Sequence, residues 1–210
     1  VGLSSSFEGA PTNADGAAYT LSDMAADGMA VLDALGVAAA HVMGLSMGGH
    51  NAMAYTLAHP DRVSRLISID IPPRLYPKAW PTRAENEARA NNGHPVFATL
   101  DEAVEEARSG NPTAPEANLR YRTQWNCIEG EGGFKLRWDP KVQIAWEPMD
   151  LWSGITRIKT PTLLVRGGLT TVLPEETAAR MIAASCSTTI TVLPVSRRRF
   201  NVASRRALSR

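Results

Sequence analysis

The feature that most restricts the fold of this chain is a serine between glycines, Gly44-Leu45-Ser46-Met47-Gly48, at the boundary between two kinds of local sequence. A short apolar run at 40–43 predicts a strand before it, and small residues at 51–59, stopped by Pro60, predict a helix after it. A serine in a sharp strand-to-helix turn needs small neighbours, because its backbone is forced into a crowded conformation. The sequence therefore predicts strand, tight turn and helix, with the Ser46 hydroxyl exposed at the end of the strand.

Helices and strands alternate on both sides of this turn. An amphipathic helix is predicted over about 21–35, with Thr20 as its N-cap and Gly36 at its C-terminal end. Later segments predict one more helix and three more strands, at 175–184 and at 63–70, 162–165 and 188–193. Nearly continuous apolar runs separated by helices are typical of a parallel sheet covered on both faces. The predicted fold class is α/β.

The middle of the chain has a different pattern of prolines, charged helical turns and tryptophans. Thr99 and Glu102 have the spacing of a helix capping box. We interpret this stretch as a largely helical insertion between two strands, of a size that suits a cap or lid. The predicted organisation is a core at 1–71 and 158–195, an insertion at 72–157, and a basic, disordered tail at 196–210.

The composition is that of a soluble globular protein, with 44% hydrophobic and 20% charged residues among 210. This length favours one domain over two. The sequence has no apolar run long enough for a membrane helix and no recognisable secretion signal at its start, so we expect a cytoplasmic protein without a membrane partner. Cys127 and Cys186 have no companion histidines at metal-ligand spacing, which argues against structural zinc.

The net charge of +1 hides an asymmetry, since six of the 22 basic residues lie in the acid-free segment 197–210. Without them the chain has 16 basic and 21 acidic residues, a net charge of −5. A basic terminus can bind nucleic acid or an anionic surface. A single aromatic residue, Phe200, gives little capacity for base stacking, so a solvated end is the favoured interpretation and no nucleic-acid partner is predicted.

Several segments together resemble the α/β-hydrolase superfamily, most closely its bacterial cap-bearing, esterase-like members. The specific part is the serine turn, from Val42 to His50. Further matches are His59-Pro60-Asp61-Arg62-Val63, the predicted strand from Leu66 to Asp70, and the segment from Thr160 to Gly168. The resemblance covers nearly all of residues 1–195. It implies a mostly parallel sheet flanked by helices, with the insertion as the cap.

The resemblance also implies a serine hydrolase in which Ser46 is the nucleophile and the Met47 N–H is one oxyanion donor. The family's acid follows either the strand after the serine helix or the strand after the cap. The first position is Asp70, whereas the second, at 169–171, has no carboxylate. Asp70 is therefore the expected acid, with the alternative that it only caps the turn before Pro72.

The chemistry implied is acyl-enzyme hydrolysis of a small-molecule carboxylic ester or related acyl compound. Such a turn needs neither a metal nor an organic cofactor. Hydrolysis of lactones and of carbon–carbon bonds uses the same turn, so both stay open as lesser alternatives.

The histidine that would act as general base is missing from its family position, which follows the last predicted strand and is occupied here by the segment 194–200. All four histidines occur earlier in the chain, at His41, His50, His59 and His94. A histidine of the cap could replace the missing base, although a solvated loop histidine is the favoured interpretation of His94. The alternative to an active esterase is therefore a catalytically impaired fragment or pseudo-enzyme.

The family's first three strands, and the loop that completes its oxyanion hole, have no counterpart in the sequence. We hypothesise that the chain is an excerpt of a longer parent protein and that its arginine-rich end, after Pro194, is an altered reading frame. The predicted sheet is then incomplete, with an exposed edge that favours pairing or aggregation.

Overall fold

The structure is a computed structural model, and it describes residues 20–75, 82–138, 142, 149–185 and 188–193. The predicted basic tail at 196–210 lies outside these residues. The described residues divide into two compact units: an insertion unit within 82–146, and a sheet unit within 19–81 and 147–210.

The described elements alternate as the sequence predicts, with helices also filling the insertion. In chain order they are α1 (Leu21–Ala34), β1 (Ala40–Leu45), α2 (Met47–Ala58), a 3-10 turn (Pro60–Arg62), β2 (Val63–Ile69), α3 (Arg83–Asn92), α4 (Leu100–Gly110), α5 (Glu116–Asn126), β3 (Cys127–Gly130), β4 (Gly133–Leu136), α6 (Trp152–Ile155), β5 (Thr162–Gly167), α7 (Glu175–Ala184) and β6 (Thr188–Leu193). No helix within the described ranges has the length and apolarity to cross a membrane.

Four strands of the sheet unit form a parallel sheet in the order β1-β2-β5-β6. Val42 pairs with Leu66 across the first two strands. Parallel neighbours need a crossover, and α2 and α7 supply it between β1 and β2 and between β5 and β6. The predicted α/β class is confirmed. Among the described strands β1 is at an edge, and its Met43 and Leu45 side chains are 68% and 65% exposed.

Helix α1 begins at the predicted cap. Thr20 Oγ1 accepts a hydrogen bond of 3.1 Å from the Asp23 amide, and Asp23 Oδ2 accepts one of 3.2 Å from the Thr20 amide. This capping box satisfies two donors of the first turn, a contribution of about 1 kcal/mol. After the helix, Gly36 has a φ of +65°, the left-handed conformation in which glycine replaces other residues at helix ends.

Helix α2 contacts α1, β1 and β2, and most of its first three turns is buried. Small residues such as Gly49 and Ala52 allow this close approach. Asn51 Nδ2 donates to Met24 Sδ at 2.7 Å, and the Tyr55 hydroxyl donates to Met29 Sδ at 3.2 Å, so both contacts join α2 to α1. The start of α2 is therefore fixed by packing against α1 on one side and against the strands on the other.

The core of the sheet unit contains side chains from the strands and from the helices around them. Leu66 and Leu164 on neighbouring strands, and Leu173 before α7, are at most 1% exposed. Burial of each such leucine stabilises the fold by about 1.5–3 kcal/mol. Packing of these residues fixes the central strands, and it thereby fixes the positions of the polar residues that follow the strand ends.

The insertion unit has helices that begin with charged turns. Thr99 Oγ1 accepts a bond of 3.2 Å from the Glu102 amide, as the predicted capping box requires. In a complete capping box the Glu102 side chain would accept from the Thr99 amide. Here Glu102 Oε2 accepts from the Ala98 amide instead, at 2.9 Å. Arg120 Nη2 contacts Asp101 Oδ1 at 2.6 Å and so joins α5 to α4.

The antiparallel hairpin of β3 and β4 was not predicted. Gly132 in its turn has a φ of +86°, and Gly133 at the start of β4 has a φ of +129°. Phe97 and Phe134 exchange two backbone hydrogen bonds of 2.8 and 2.7 Å, which adds a bridge beside the hairpin. Four-residue strands are too short to produce a clear alternating pattern in the sequence, which explains why a largely helical insertion was expected.

Candidate active site

Ser46 is the single residue between the end of β1 and the start of α2. Its φ of 51° and ψ of −123° lie in a region that non-glycine residues rarely adopt. The Ser46 amide donates to the Ile69 carbonyl at 2.9 Å, and its carbonyl accepts from the Gly49 and His50 amides at 2.8 and 3.1 Å. The strained conformation is thus held by hydrogen bonds on both sides, and the side chain is exposed.

The glycines around Ser46 are needed to different degrees. A Cβ on Gly44 would overlap the backbone of Gly48. A Cβ on Gly49 would lie 2.8 Å from Ile71 Cγ2 and 2.9 Å from the Gly44 carbonyl oxygen, whereas one on Gly48 would meet nothing within 4 Å. The close approach of β1 to the first turn of α2 therefore depends on Gly44 and Gly49.

Met47 is the first residue of α2, and α2 begins four residues earlier than the sequence pattern indicated. Two glycines in the first turn have low helix propensity, so the sequence pattern did not indicate that the helix includes this turn. The first N–H groups of a helix have no acceptor within the helix, and they add to the positive end of its dipole. Such a group beside Ser46 has the chemistry of an oxyanion donor.

Asp70 follows β2 as Ser46 follows β1. Leu45 pairs with Ile69, so Ser46 and Asp70 are the next residues at the carboxyl ends of neighbouring parallel strands. The Asp70 amide donates to the Val165 carbonyl at 2.8 Å, and Asp70 Oδ1 accepts from the Gly167 amide at 3.2 Å. Asp70 is half-buried and has a φ of 55°.

The sheet unit contains three of the four histidines. His41 is near the opposite end of β1 from Ser46, five residues or about 16 Å along the strand. His59 ends α2, about 18 Å from its start, and its ring lies 5.3 Å from that of Tyr55. His50 is one helical turn after Ser46 and fully buried.

His94 belongs to the insertion unit. Its Nε2 is 2.6 Å from the Trp138 carbonyl, and the two rings meet edge to face with centroids 4.3 Å apart. These contacts correct the expectation of a solvated loop residue, because the ring is half-buried and one nitrogen is engaged.

Burial lowers the pKa of His50 below its usual value of 6.5, and this effect exceeds the opposing effects of its surroundings. The backbone of Pro72 and Met149 and the charge of Asp150 raise the pKa and only partly compensate. The ring is therefore neutral at pH 7. This environment could not be predicted, since nothing in the sequence brings residue 149 next to residue 50.

Within the described ranges, no group of three or more His, Cys, Asp or Glu side chains has an arrangement that could hold a metal ion. The site consists of a strained serine, a helix N-terminus and a carboxylate at adjacent strand ends. Groups of these three kinds are used by enzymes for nucleophilic acyl transfer.

A family model of the alpha/beta hydrolase fold matches residues 3–196. The chain belongs to the alpha/beta hydrolase fold family. The predicted superfamily and fold are thereby confirmed. Ser46 of this α/β hydrolase occupies a strand-to-helix turn of the kind predicted.

Curated relatives of this α/β hydrolase are named for different reactions. Homoserine O-acetyltransferase of Thermus thermophilus is 30% identical over 142 residues, which cover 68% of this chain and 34% of that protein. The 2-hydroxy-6-oxononadienedioate/2-hydroxy-6-oxononatrienedioate hydrolase of Burkholderia vietnamiensis is 54% identical over 37 residues, 18% of this chain and 13% of that protein. The chain spans about a third or less of the length of these relatives.

Among solved structures, E-2-(acetamidomethylene)succinate hydrolase resembles this α/β hydrolase with a TM-score of 0.74 and 21% identity. The match covers 85% of this chain and 66% of that one. At this level of identity the likeness is one of fold.

Proposed function

We propose that this chain is a serine hydrolase that acts on carboxylic esters through an acyl-enzyme at Ser46. The observation that carries the proposal is the strained backbone of Ser46 at the junction of β1 and α2. A fold retains strain of about 1–3 kcal/mol at one residue where the conformation serves a function, and here it holds a hydroxyl outward next to a helix N-terminus.

In the proposed reaction, Ser46 Oγ attacks the acyl carbonyl and its proton passes to a base. The Met47 N–H stabilises the oxyanion, the alcohol leaves with a proton, and water then hydrolyses the acyl-enzyme. Asp70 is the acid that would orient the base. The sequence offers no histidine at the family position, so the identity of that base is part of what the experiment decides. The insertion is proposed as the cap that selects the acyl or alcohol group.

A second candidate is acyl transfer to an alcohol. It is favoured by the homoserine O-acetyltransferase relative, whose match extends over 68% of this chain. Both reactions share the acyl-enzyme and differ only in whether water or an alcohol accepts the acyl group. Lactone or carbon–carbon bond hydrolysis at the same serine stays a lesser alternative.

The test is labelling of the full chain with a fluorophosphonate probe, beside Ser46→Ala, Asp70→Ala and a control, Ser64→Ala, which removes an exposed serine of β2. The proposal expects rapid labelling that Ser46→Ala abolishes, Asp70→Ala slows and Ser64→Ala leaves unchanged. A folded chain that does not label overturns the proposal and favours the catalytically impaired alternative. If labelling succeeds, hydrolysis of an activated ester with and without homoserine separates the two candidates.

A further inference from the structure

The turn that follows β5, which we call the β5 turn, consists of residues 167–173 and is closed by hydrogen bonds of its own groups. Thr170 Oγ1 accepts from the amides of Val172 and Leu173, at 3.0 and 3.5 Å. Arg166 Nε, at the end of β5, donates to the Leu173 carbonyl at 2.8 Å. The Leu173 side chain is fully buried, so the last residue of the turn is anchored in the core of the sheet unit.

Gly167 lies between the Thr170 side chain and the Asp70 carboxylate. Its amide donates to Asp70 Oδ1 at 3.2 Å, and its carbonyl accepts from the Thr170 amide at 3.3 Å. A Cβ on Gly167 would lie 3.5 Å from Thr170 Cβ and 3.7 Å from Asp70 Oδ2, so both groups are on the same side of this residue. Gly167 therefore bonds to the carboxylate through its N–H and to the β5 turn through its carbonyl.

The bond from Gly167 to the carboxylate replaces a bond of the parallel ladder. The Leu66 amide donates to the Pro161 carbonyl at 3.0 Å. The Asp70 amide donates in the same way to the Val165 carbonyl, at 2.8 Å. Continued by two more residues, this pattern would have the Gly167 amide donate to the Asp70 carbonyl. It donates to the side chain instead, because the φ of 55° at Asp70 turns the chain out of the sheet. The placement of the carboxylate therefore depends on the direction of the Gly167 amide.

We propose that Thr170 is a positioning residue for Asp70: its hydroxyl holds the β5 turn closed, and the closed turn keeps the Gly167 amide directed at the carboxylate. The assignment rests on the proposed function only in taking Asp70 as the acid. Valine has the shape of threonine but no acceptor, so Thr170→Val leaves two backbone amides without their partner. One of them belongs to the buried Leu173, where an unsatisfied group is costly. We expect the turn to rearrange at its exposed residues 168 and 169, which directly follow Gly167.

The primary test is hydrogen exchange in the full chain, because it does not depend on activity. Thr170→Val is expected to speed exchange of the Val172 and Gly167 amides about fivefold each, the factor of one weakened hydrogen bond. Thr170→Ser keeps the hydroxyl oxygen and is expected to return both rates to within about twofold of the wild type. The matched control is Thr171→Val, the same change at the neighbouring exposed threonine, which is expected to leave both rates unchanged.

A second measurement asks whether Thr170 acts through Asp70, by combining the two substitutions. Thr170→Val is expected to slow fluorophosphonate labelling of Ser46 about threefold in the wild type and to leave the labelling rate of Asp70→Ala unchanged, because effects through one shared group do not add. A general loosening of the fold would slow labelling equally in both backgrounds. If the wild type itself does not label, the proposed function fails while the exchange test of the β5 turn still stands.

Faster exchange at Val172 with unchanged exchange at Gly167 overturns the proposal, because the turn and the carboxylate would then be uncoupled. Equal slowing of labelling with and without Asp70 also overturns it. The same holds if Thr171→Val or Thr170→Ser reproduces the effects of Thr170→Val, since the Thr170 hydroxyl would then not be their cause. Should Thr170→Val fail to fold, Thr170→Ala replaces it: alanine also lacks the hydroxyl, and the same pattern of exchange is expected.

Discussion

The Asp70 carboxylate accepts a hydrogen bond from the Gly167 amide, 3.2 Å away at the end of the neighbouring strand. This bond fixes the side chain of a residue whose own φ of 55° is unusual for a residue with a Cβ. Both features predict that different substitutions at Asp70 change the stability of the fold by different amounts. Asparagine keeps an acceptor oxygen and tolerates this backbone conformation, whereas alanine does neither.

We therefore expect Asp70→Ala to lower the free energy of unfolding by about 1–2 kcal/mol more than Asp70→Asn, from one hydrogen bond and one left-handed residue. Urea denaturation of the two variants measures the difference. Equal stabilities would mean that the Gly167 bond and the backbone conformation contribute nothing to folding.

The strain at Ser46 predicts a gain in stability when glycine replaces the serine. Ser46→Gly is expected to raise the free energy of unfolding by about 1 kcal/mol, because glycine adopts this conformation at less cost even after its larger loss of chain entropy. Ser46→Ala keeps a Cβ and is expected to stay close to the wild type. Thermal denaturation of the pair tests the assignment, which fails if glycine is the less stable of the two.

The glycines flanking Ser46 give a matched pair. Gly44→Ala places a methyl group against the backbone of Gly48 and is expected to cost about 3 kcal/mol, whereas Gly48→Ala meets nothing within 4 Å. In α2 the second change is expected to stabilise by about 0.5–1 kcal/mol, from helix propensity. The reverse order of stabilities in urea would contradict the described turn.

The lowered pKa of His50 predicts a dependence of stability on pH. The unfolded chain binds a proton near pH 6.5 and the folded chain only at lower pH, so the unfolded state holds more protons between the two values. The contribution of His50 is therefore fully present above pH 6.5 and is lost as the pH falls, by at most about 1.4 kcal/mol per pH unit.

Unfolding curves of the wild type and of His50→Gln between pH 7 and 5 isolate this contribution. The variant is expected to lose less stability on acidification than the wild type. His41→Gln, which changes an exposed histidine of β1, serves as the control substitution. Parallel curves for the wild type and His50→Gln would refute the prediction.

The buried hydroxyl of Ser68 in β2 suggests a substitution that stabilises the fold. Its hydroxyl is buried and has no hydrogen-bond partner among the described residues, and it borders a cavity of about 20 Å³. Ser68→Ala is expected to raise the free energy of unfolding by about 1 kcal/mol, since an unsatisfied polar group is removed. Thr56→Val removes a buried hydroxyl that donates to the Ala52 carbonyl at 2.7 Å, and is expected to lower it by a similar amount. A destabilising Ser68→Ala would show that the hydroxyl has a partner.

The features that follow from local sequence could be predicted. The N-cap at Thr20, the glycine at 36 and the serine turn each depend on residues within four positions of one another, and the structure contains all three. The prediction of strands held for the same reason, because a buried parallel strand is a continuous apolar run.

Features that depend on distant partners could not be predicted. The Asp70 bond joins positions 97 apart, and the bond of Asn51 to Met24 joins positions 27 apart. The hairpin of β3 and β4 was not predicted for a different reason. Each strand has four residues, which is too short for an alternating pattern that identifies a strand. The candidate nucleophile and acid could therefore be predicted from the sequence, whereas the residues that hold them in place could not.

The pairing of β2 with β5 has a consequence for the rate of folding. Leu66 and Thr162 are partners although 96 positions separate them, so this pair closes a long loop. Closure entropy rises only with the logarithm of loop length, about 0.6 kcal/mol for each doubling, which makes a long intervening segment thermodynamically cheap. Folding of the helices and the hairpin that lie between β2 and β5 in the chain shortens the effective loop. Deletions within that segment are therefore expected to change the rate at which the sheet forms more than the stability of the folded sheet.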